Sequence, residues 1–274
     1  MPRKIINDKL KQEIIKFYQS KPMSLKEVEQ QFELSSPTVI NILKDIPKYP
    51  KAKINNPNLI EDFFKEINSE EKAYFLGLII SDGNVFKDES SGRQASISIT
   101  LDLNDEYMLN AFKTAVQANT SIGKDGRGCG TIAVRSNLMA QDLAQYGVVP
   151  RKSYITYLPT NILKQYMPHL IRGILDGDGH IQAKLNKDNR FLHSISFCGS
   201  HKLMEDISNY CTKTLSLNIK QQVYDYQDRE LSEIKLQNID DMKLFGDWIY
   251  NNATIYLKRK YETYLYFKQH YSLD

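Results

Sequence analysis

One apolar pattern occurs twice in this chain, and each copy ends in an aspartate followed by a glycine. The first copy, AYFLGLIISDGNV, spans residues 73–85, and the second, HLIRGILDGDGHI, spans residues 169–181. Each copy predicts an apolar helix whose last turn carries a carboxylate. A negative charge at the negative end of the helix dipole costs about 0.3–1 kcal/mol. Some other group must offset that cost at both helix ends.

The segments that follow the two copies also match each other. After SDGNV comes RQASISITLDLNDEYMLNAFKTAV, and after GDGHI comes RFLHSISFCGSHKLMEDISNYC. Each of them is an alternating strand followed by a helix, and ISIT aligns with ISFC without a gap. A hairpin-like stretch, a further helix and a basic doublet then follow in both halves. A repeat of about a hundred residues in two copies predicts two α+β half-domains related by a pseudo-two-fold axis.

The glycines within the two apolar helices suggest how the halves pack. Gly77 and Gly173 occupy the same position in each copy, and a glycine allows two helices to approach closely. If the helices pack on each other along the pseudo-dyad, Asp82 and Asp178 lie side by side. A hard divalent cation such as Mg²⁺ or Mn²⁺ would remove the repulsion between these carboxylates.

These features resemble the LAGLIDADG motif of the homing endonucleases. Gly77 and Gly173 match the motif's glycine, and Asp82-Gly83 and Asp178-Gly179 match its closing acid and glycine. The resemblance implies an α+β fold of two pseudo-symmetric half-domains with saddle-shaped antiparallel sheets that bind double-stranded DNA in the major groove. It also implies a site-specific endonuclease that acts as a monomer, a single-chain pseudo-dimer without an obligate protein partner.

The resemblance also assigns roles to individual residues. It implies that Asp82 and Asp178 bind the metal and act on opposite strands. The basic doublets in VPRKS and LKRKY imply that Lys152 and Lys260 stabilise the charge that develops on the phosphate. One departure is the sixth motif position, an aspartate in the family, which is Ile80 in the first copy and Asp176 in the second. Since the family's metal chemistry uses the eighth position, the resemblance implies that this departure is tolerated, and whether the two DNA strands are cut equally stays open.

The alternating strands predict which faces meet DNA. In QASISITL the apolar residues Ile97, Ile99 and Leu101 share one face, and in HIQAKLN the residues Ile181, Ala183 and Leu185 do so. Polar side chains on the opposite faces can read base edges. These candidate DNA-binding residues are Gln94, Ser96, Ser98, Thr100, Gln182 and Lys184. An ordinary solvated sheet face is the alternative.

The basic excess of the chain lies at its front. Residues 1–60 hold 11 Lys and Arg against 6 Asp and Glu, whereas residues 61–274 hold 25 against 27. Such a front segment is suited to bind a polyanion. Residues 8–45 read as three short helices, of which the second begins after Ser24 and the third after Ser36. The last two helices are joined only by ELS, as in a helix-turn-helix.

This front pattern resembles the small DNA-binding domains of resolvases and transposases. The resemblance implies that the third helix enters the major groove, with Ser35, Ser36, Thr38 and Asn41 contacting bases and phosphates and Lys44 contacting the backbone. A three-helix packing module is the alternative. The predicted domains are therefore a helix-turn-helix over 1–46, a basic linker over 47–60, and two half-domains over 61–160 and 161–274.

The remaining features exclude several classes of protein. No apolar run approaches the ~20 residues that span a bilayer, and the N-terminus lacks an apolar signal-peptide core, so we expect a cytoplasmic protein, bacterial or encoded by a phage. Cys129, Cys198 and Cys211 have no paired spacing, so they predict buried thiols rather than a disulfide or a zinc site. Two alternative functions are a non-cleaving DNA-binding regulator on the same fold and an RNA-splicing maturase.

Overall fold

The computed structural model describes residues 6–20, 25–44, 46, 56–88, 93–152, 155–226 and 229–271. The chain separates into two compact units, Met1–Pro57 and Asn58–Asp274. The predicted helix cap at Ser24 and residues 47–55 of the predicted linker lie outside the described residues.

The described part of the first unit contains three helices, α1 (Asp8–Ser20), α2 (Leu25–Phe32) and α3 (Ser36–Leu43). Its small core is built from one apolar face of each helix and includes Ile14, Val28 and Val39, all fully buried. The sequence placed the cap of the third helix at Ser36, but the helix begins there and Ser35 is its cap. The interpretation of this unit as a DNA-binding helix-turn-helix stays a prediction.

The second unit repeats one order of elements. Its first half contains α4 (Glu70–Asp82), β1 (Gly83–Phe86), β2 (Ser96–Asp102), α5 (Glu106–Ala115), β3 (Gly123–Lys124), β4 (Cys129–Arg135) and α6 (Asn137–Ala144). Its second half contains α7 (Met167–Asp178), β5 (Gly179–Leu185), β6 (Phe191–Ser200), α8 (His201–Leu215), β7 (Lys220–Tyr226), β8 (Arg229–Leu236), α9 (Ile239–Tyr250) and α10 (Lys258–His270). The predicted duplication of an α+β half is therefore correct.

Each half forms a four-stranded antiparallel sheet. The strand orders are β1-β2-β4-β3 and β5-β6-β8-β7, which are equivalent. Gly83 pairs with Ile99 in the first sheet, and Gly179 pairs with Phe197 in the second. Ile99 and Phe197 are the third residues of ISIT and ISFC, so these two segments have equivalent register and their gap-free match is confirmed.

The core of the second unit lies between the sheets and the helices. Ile97, Ile99 and Leu101 are buried against it, as their alternation predicted. Leu185, which was expected on the same kind of face, is 54% exposed because β5 extends beyond the core at that end.

Two further expectations concern the cysteines and the membrane. Of the three free cysteines only Cys211 is buried, whereas Cys129 is partly buried and Cys198 is exposed. The expectation that all three are buried was therefore wrong, because Cys198 lies on the polar face of its strand. Among the described residues, every helix is too short or too polar to cross a membrane.

Candidate active site

The helices α4 and α7 pack directly on each other and end at the same place. A Cβ atom added to Gly77 would lie 3.0 Å from the backbone nitrogen of Ile174, so the two backbones are in contact. Close to the helix ends, a Cβ atom added to Gly177 would lie 3.3 Å from the Oδ2 atom of Asp82. The last residues of the two helices, Asp82 and Asp178, are thereby brought together as predicted from the repeated glycines.

The protein makes both carboxylates harder to ionise. Desolvation, followed by the charge of Asp178, raises the pKa of Asp82 to about 6. Asp178 is more exposed than Asp82, but desolvation by the surrounding protein also raises its pKa. The positive charges of Lys152 and Lys260 lower this pKa and so offset part of the rise. Two acids held in this way favour an added positive charge.

The two predicted catalytic lysines lie beneath the carboxylates. Lys152 is buried, and its Nζ atom donates to the carbonyl oxygens of Ile80 at 2.7 Å and Ser81 at 3.2 Å. These carbonyls belong to the last turn of α4, where the helix dipole is negative. The ammonium group of Lys152 therefore offsets part of the cost of ending the helix with an acid.

Lys260 occupies the same position in the second half and is bound more completely. Its Nζ atom donates to the carbonyl oxygens of Leu175 at 2.6 Å, Asp176 at 2.7 Å and Gly179 at 2.6 Å. Desolvation lowers the pKa of Lys260 to about 8. An ammonium group has three donors, so all the donors of Lys260 are engaged. It can act on a phosphate through its charge but has no free donor for it in this arrangement.

The predicted reading faces of the sheets point away from the core. Ser96 and Ser98 are partly exposed and Thr100 is exposed, while Gln94 lies just before β2 and is partly exposed. The hydroxyl groups of Thr100 and Thr131 lie 2.8 Å apart on this face. On β5 of the second half, Gln182 is partly exposed and Lys184 is exposed.

Known proteins share the fold of this chain but little of its sequence. No protein-family model matches the chain, and no curated protein matches it. Among solved structures, the LAGLIDADG meganuclease I-AabMI bound to uncleaved DNA superposes with a TM-score of 0.52 and 12% identity over 73% of this chain and 90% of that chain. I-LtrWI, bound to target DNA, gives 0.51 and 10% over 78% and 91%, and I-GzeII, in complex with its DNA target, gives 0.51 and 13% over 73% and 90%.

This chain has the LAGLIDADG fold. At such identities the likeness shows the fold alone, and it confirms the predicted pair of half-domains. The two helices that form the centre of this LAGLIDADG fold are α4 and α7, which carry the two copies of the apolar pattern.

The sixth motif position explains an asymmetry of the LAGLIDADG helices. Asp176 is fully buried, and its Oδ2 atom accepts hydrogen bonds from the hydroxyl group of Tyr74 and the backbone N–H of Leu257, both at 2.8 Å. Its Oδ1 atom has no partner among the described residues. Burial raises the pKa of Asp176 to about 6. This carboxylate thus joins α7 to α4 and to the segment before α10, whereas Ile80 fills the equivalent position with apolar packing.

A buried arginine in the second LAGLIDADG helix was missed by the sequence interpretation. Arg172 is fully buried, and its Nη2 atom lies 2.7 Å from Oε1 of Glu70 at the start of α4. Its remaining donors bind the carbonyl oxygens of Ile249 and Ile255 and approach Nδ1 of His169. The only signal was a charged residue within an apolar stretch, HLIRGIL. This ion pair ties the two halves together but lies at the opposite end of the helices from Asp82 and Asp178.

The donor set at the helix ends fits a hard divalent cation. The described residues contain no group of three or more His, Cys, Asp or Glu side chains that could hold a metal. Mg²⁺ is commonly bound through one or two carboxylates, with waters and substrate phosphates as its other ligands. Asp82 and Asp178 would supply this pair of carboxylates, and desolvation raises the pKa of both.

The candidate DNA-binding residues of the first unit form a separate set. Ser35, Ser36, Asn41 and Lys44 are exposed on or beside α3, and Thr38 is partly exposed. The hydroxyl groups of Ser35 and Thr38 lie 2.9 Å apart. These side chains therefore share the solvent face of α3, which is the face that a DNA-reading helix would use.

Proposed function

We propose that this protein is a metal-dependent, site-specific endonuclease that cuts both strands of double-stranded DNA. The observation that carries the proposal is the placement of Asp82 and Asp178 side by side at the ends of two packed helices, between two sheets with polar outer faces. The solved structures of I-AabMI, I-LtrWI and I-GzeII contain DNA, which supports DNA as the partner of this fold.

Each acid has a defined task in this proposal. Asp82 and Asp178 hold Mg²⁺ or Mn²⁺, and each serves one scissile phosphate. A bound cation supplies Lewis-acid polarisation of the phosphate and a more acidic water molecule. Lys152 and Lys260 keep positive charge beneath the carboxylates, which favours the extra negative charge of the transition state. The outer faces of the sheets position the duplex.

The test is cleavage of a plasmid that carries the uninterrupted version of the DNA flanking the gene. With magnesium, we expect supercoiled plasmid to become linear, and with EDTA we expect it to remain intact. Asp82→Asn and Asp178→Asn should each abolish double-strand cleavage while leaving DNA binding nearly unchanged. Asp188→Asn, an exposed acid in the turn after β5, is the matched control and should cut like the wild type.

The same assay separates the alternatives. A non-cleaving regulator would bind the plasmid but leave it supercoiled with every metal. A maturase would bind its structured RNA in preference to the duplex. Cleavage of both strands at the wild-type rate by Asp82→Asn would contradict the assignment of the active site.

A further inference from the structure

The outer faces of the two sheets carry different charges. In the second sheet, His180 of β5 pairs with Ser196 of β6, which pairs with Lys235 of β8, which pairs with Lys220 of β7. Paired residues lie on the same face of a sheet, so these four side chains form one row across the face that points away from the core. Lys184 lies four residues after His180 on β5 and therefore on the same face.

We call Lys184, Lys220 and Lys235 the lysine cluster. Lys184 and Lys220 are exposed and Lys235 is partly exposed. The three lysines are spread over β5, β7 and β8 of this face, and their charge is available to a ligand. Glu233 pairs with Cys198 on the same face, so the described part of the face carries these three lysines against this acid.

The first sheet carries no lysine at the matching positions. Because Gly83–Ile99 corresponds to Gly179–Phe197, the row equivalent to His180, Ser196 and Lys235 is Asn84, Ser98 and Ala133. The strand β1 ends at Phe86, before the position that would match Lys184, and the exposed acid Asp88 follows it. The short strand β3 pairs only with Gly130 and Thr131 and does not reach this row.

Among its paired residues, the outer face of the first sheet carries one basic side chain, Arg135, and one acid, Asp102, which pairs with Cys129. Arg135 pairs with Ser96 at the far end of β2. Between Arg135 and the helix ends, the face carries the uncharged residues Ser98, Thr100, Thr131 and Ala133. Such side chains can contact base edges but release no counterions from the DNA.

We propose that the two halves bind their DNA half-sites unequally, the second half binding more tightly and with a steeper salt dependence through the lysine cluster. This inference rests on the proposed function, since it assumes that the sheet faces contact DNA. Each lysine that neutralises a phosphate contributes about −0.9 to the slope of log K against log salt. Three such contacts weaken binding about 40-fold between 50 and 200 mM salt.

The test uses the full chain in EDTA, so that DNA is bound and not cut. A target duplex is selected from random sequences, and two shorter duplexes each keep one half-site. We expect the wild type to bind one half-site at least tenfold more tightly at 50 mM salt. The triple variant Lys184→Gln, Lys220→Gln, Lys235→Gln should lose this preference, and its slope on the full target should be flatter by about 3.

Matched substitutions at the equivalent positions sharpen the test. Ala133→Lys places on the outer face of the first sheet the positive charge that Lys235 provides on the second. This variant should steepen the slope of log K against log salt by about 1 and should bind the weaker half-site more tightly. Lys187→Gln, in the exposed turn after β5, is the control for loss of a lysine outside the face and should leave the half-site preference unchanged. Equal melting temperatures of the variants would show that they are folded.

The possible outcomes separate this inference from the proposed function. If the wild type binds both half-sites equally, or if the triple variant keeps the wild-type slope, the inference is overturned although the protein still binds DNA. If the wild type binds no duplex with or without magnesium, the proposed function itself fails.

Discussion

Gly77 and Gly173 lie against each other at the centre of the molecule: a Cβ atom on Gly77 would be 3.1 Å from the Cα atom of Gly173. The same Cβ atom would collide with the carbonyl oxygen of Leu170, and one on Gly173 would collide with the carbonyl oxygen of Tyr74. Neither obstacle is a flexible side chain. The close approach of the helices, and with it the position of Asp82 beside Asp178, therefore depends on both glycines.

We expect Gly77→Ala and Gly173→Ala each to lower the free energy of unfolding by about 2–3 kcal/mol, because the two helix backbones must move apart. The separation also moves Asp82 from Asp178, so cleavage should fall even at temperatures where the variants are folded. Urea unfolding measures the first effect, and single-turnover cleavage measures the second.

Gly126→Ala is the control for this pair. No atom lies within 4 Å of a Cβ at that turn position, so its free energy of unfolding should stay within about 0.5 kcal/mol of the wild type. A Gly77→Ala protein as stable as Gly126→Ala would contradict the backbone contact.

The acids and glycines were predictable because their signal is repeated in the sequence. Two copies in register fix the positions of Gly77 and Asp82 relative to Gly173 and Asp178, and the alternation in QASISITL fixed the buried face of β2. The hydrogen bonds of Lys260 were not predictable, since its acceptors lie more than eighty residues away in the chain and are backbone atoms.

The partners of Asp176 were hidden for a similar reason. Its position beside the hydroxyl group of Tyr74 is created only when α4 and α7 pack, and no local pattern carries that contact. The composition of the strands did not show the unequal charge of the sheets either, since it depends on the register that places Lys235 level with His180.

Replacing Asp176 should show the cost of burying its charge. Burial raises its pKa to about 6, so the folded protein holds this proton more tightly than the unfolded chain. The stabilisation of the folded protein by this proton is present at pH 4 and is lost as the pH rises through 6. Each tenfold difference in proton affinity between the folded and unfolded states corresponds to about 1.4 kcal/mol. Asp176→Asn keeps an acceptor for Tyr74 and Leu257 without the charge.

We therefore expect Asp176→Asn to be more stable than the wild type at pH 8 by about 1–3 kcal/mol, and this gain to shrink towards pH 5. Chemical unfolding in EDTA at both pH values is the measurement. Asp176→Ala should be destabilised at both, because it leaves two donors unpaired. A gain of Asp176→Asn that is the same at pH 5 and pH 8 would mean that the buried carboxylate is not the cause.

The two lysines at the helix ends should differ in their effect on stability. Lys260→Ala leaves three carbonyl oxygens without their ammonium donor, whereas Lys152→Ala leaves two. Each unpaired buried acceptor costs about 1–3 kcal/mol before water enters, so Lys260→Ala should unfold at the lower urea concentration. Both variants should also cut more slowly. Lys187→Ala, which removes an exposed lysine, is the control for the loss of one positive charge. Equal stability of the three variants would contradict these hydrogen bonds.

Magnesium or manganese should raise the melting temperature. A cation at 100 times its dissociation constant stabilises the folded protein by about 2.7 kcal/mol, because it binds the paired acids only when they are held together. For a protein of this size that is a rise of roughly 5–10 °C. The double variant Asp82→Asn, Asp178→Asn should lose most of it, and KCl at equal ionic strength is the control. A wild type that does not respond to millimolar metal, with or without DNA, would count against the site.

Removal of residues 1–57 tests the first unit. The second unit keeps its own core without it, and the removed segment carries the basic excess of the chain but neither Asp82 nor Asp178. We expect the shortened protein to bind target DNA more weakly, with a flatter dependence on salt, because phosphate contacts are lost. It should still cut at high protein concentration.

In the full chain, Lys44→Ala should flatten the slope of log K against log salt by about 1 if Lys44 contacts the DNA backbone. Binding by the shortened protein that is as tight as that of the full chain would show that the three helices serve another purpose, such as packing or protein contact.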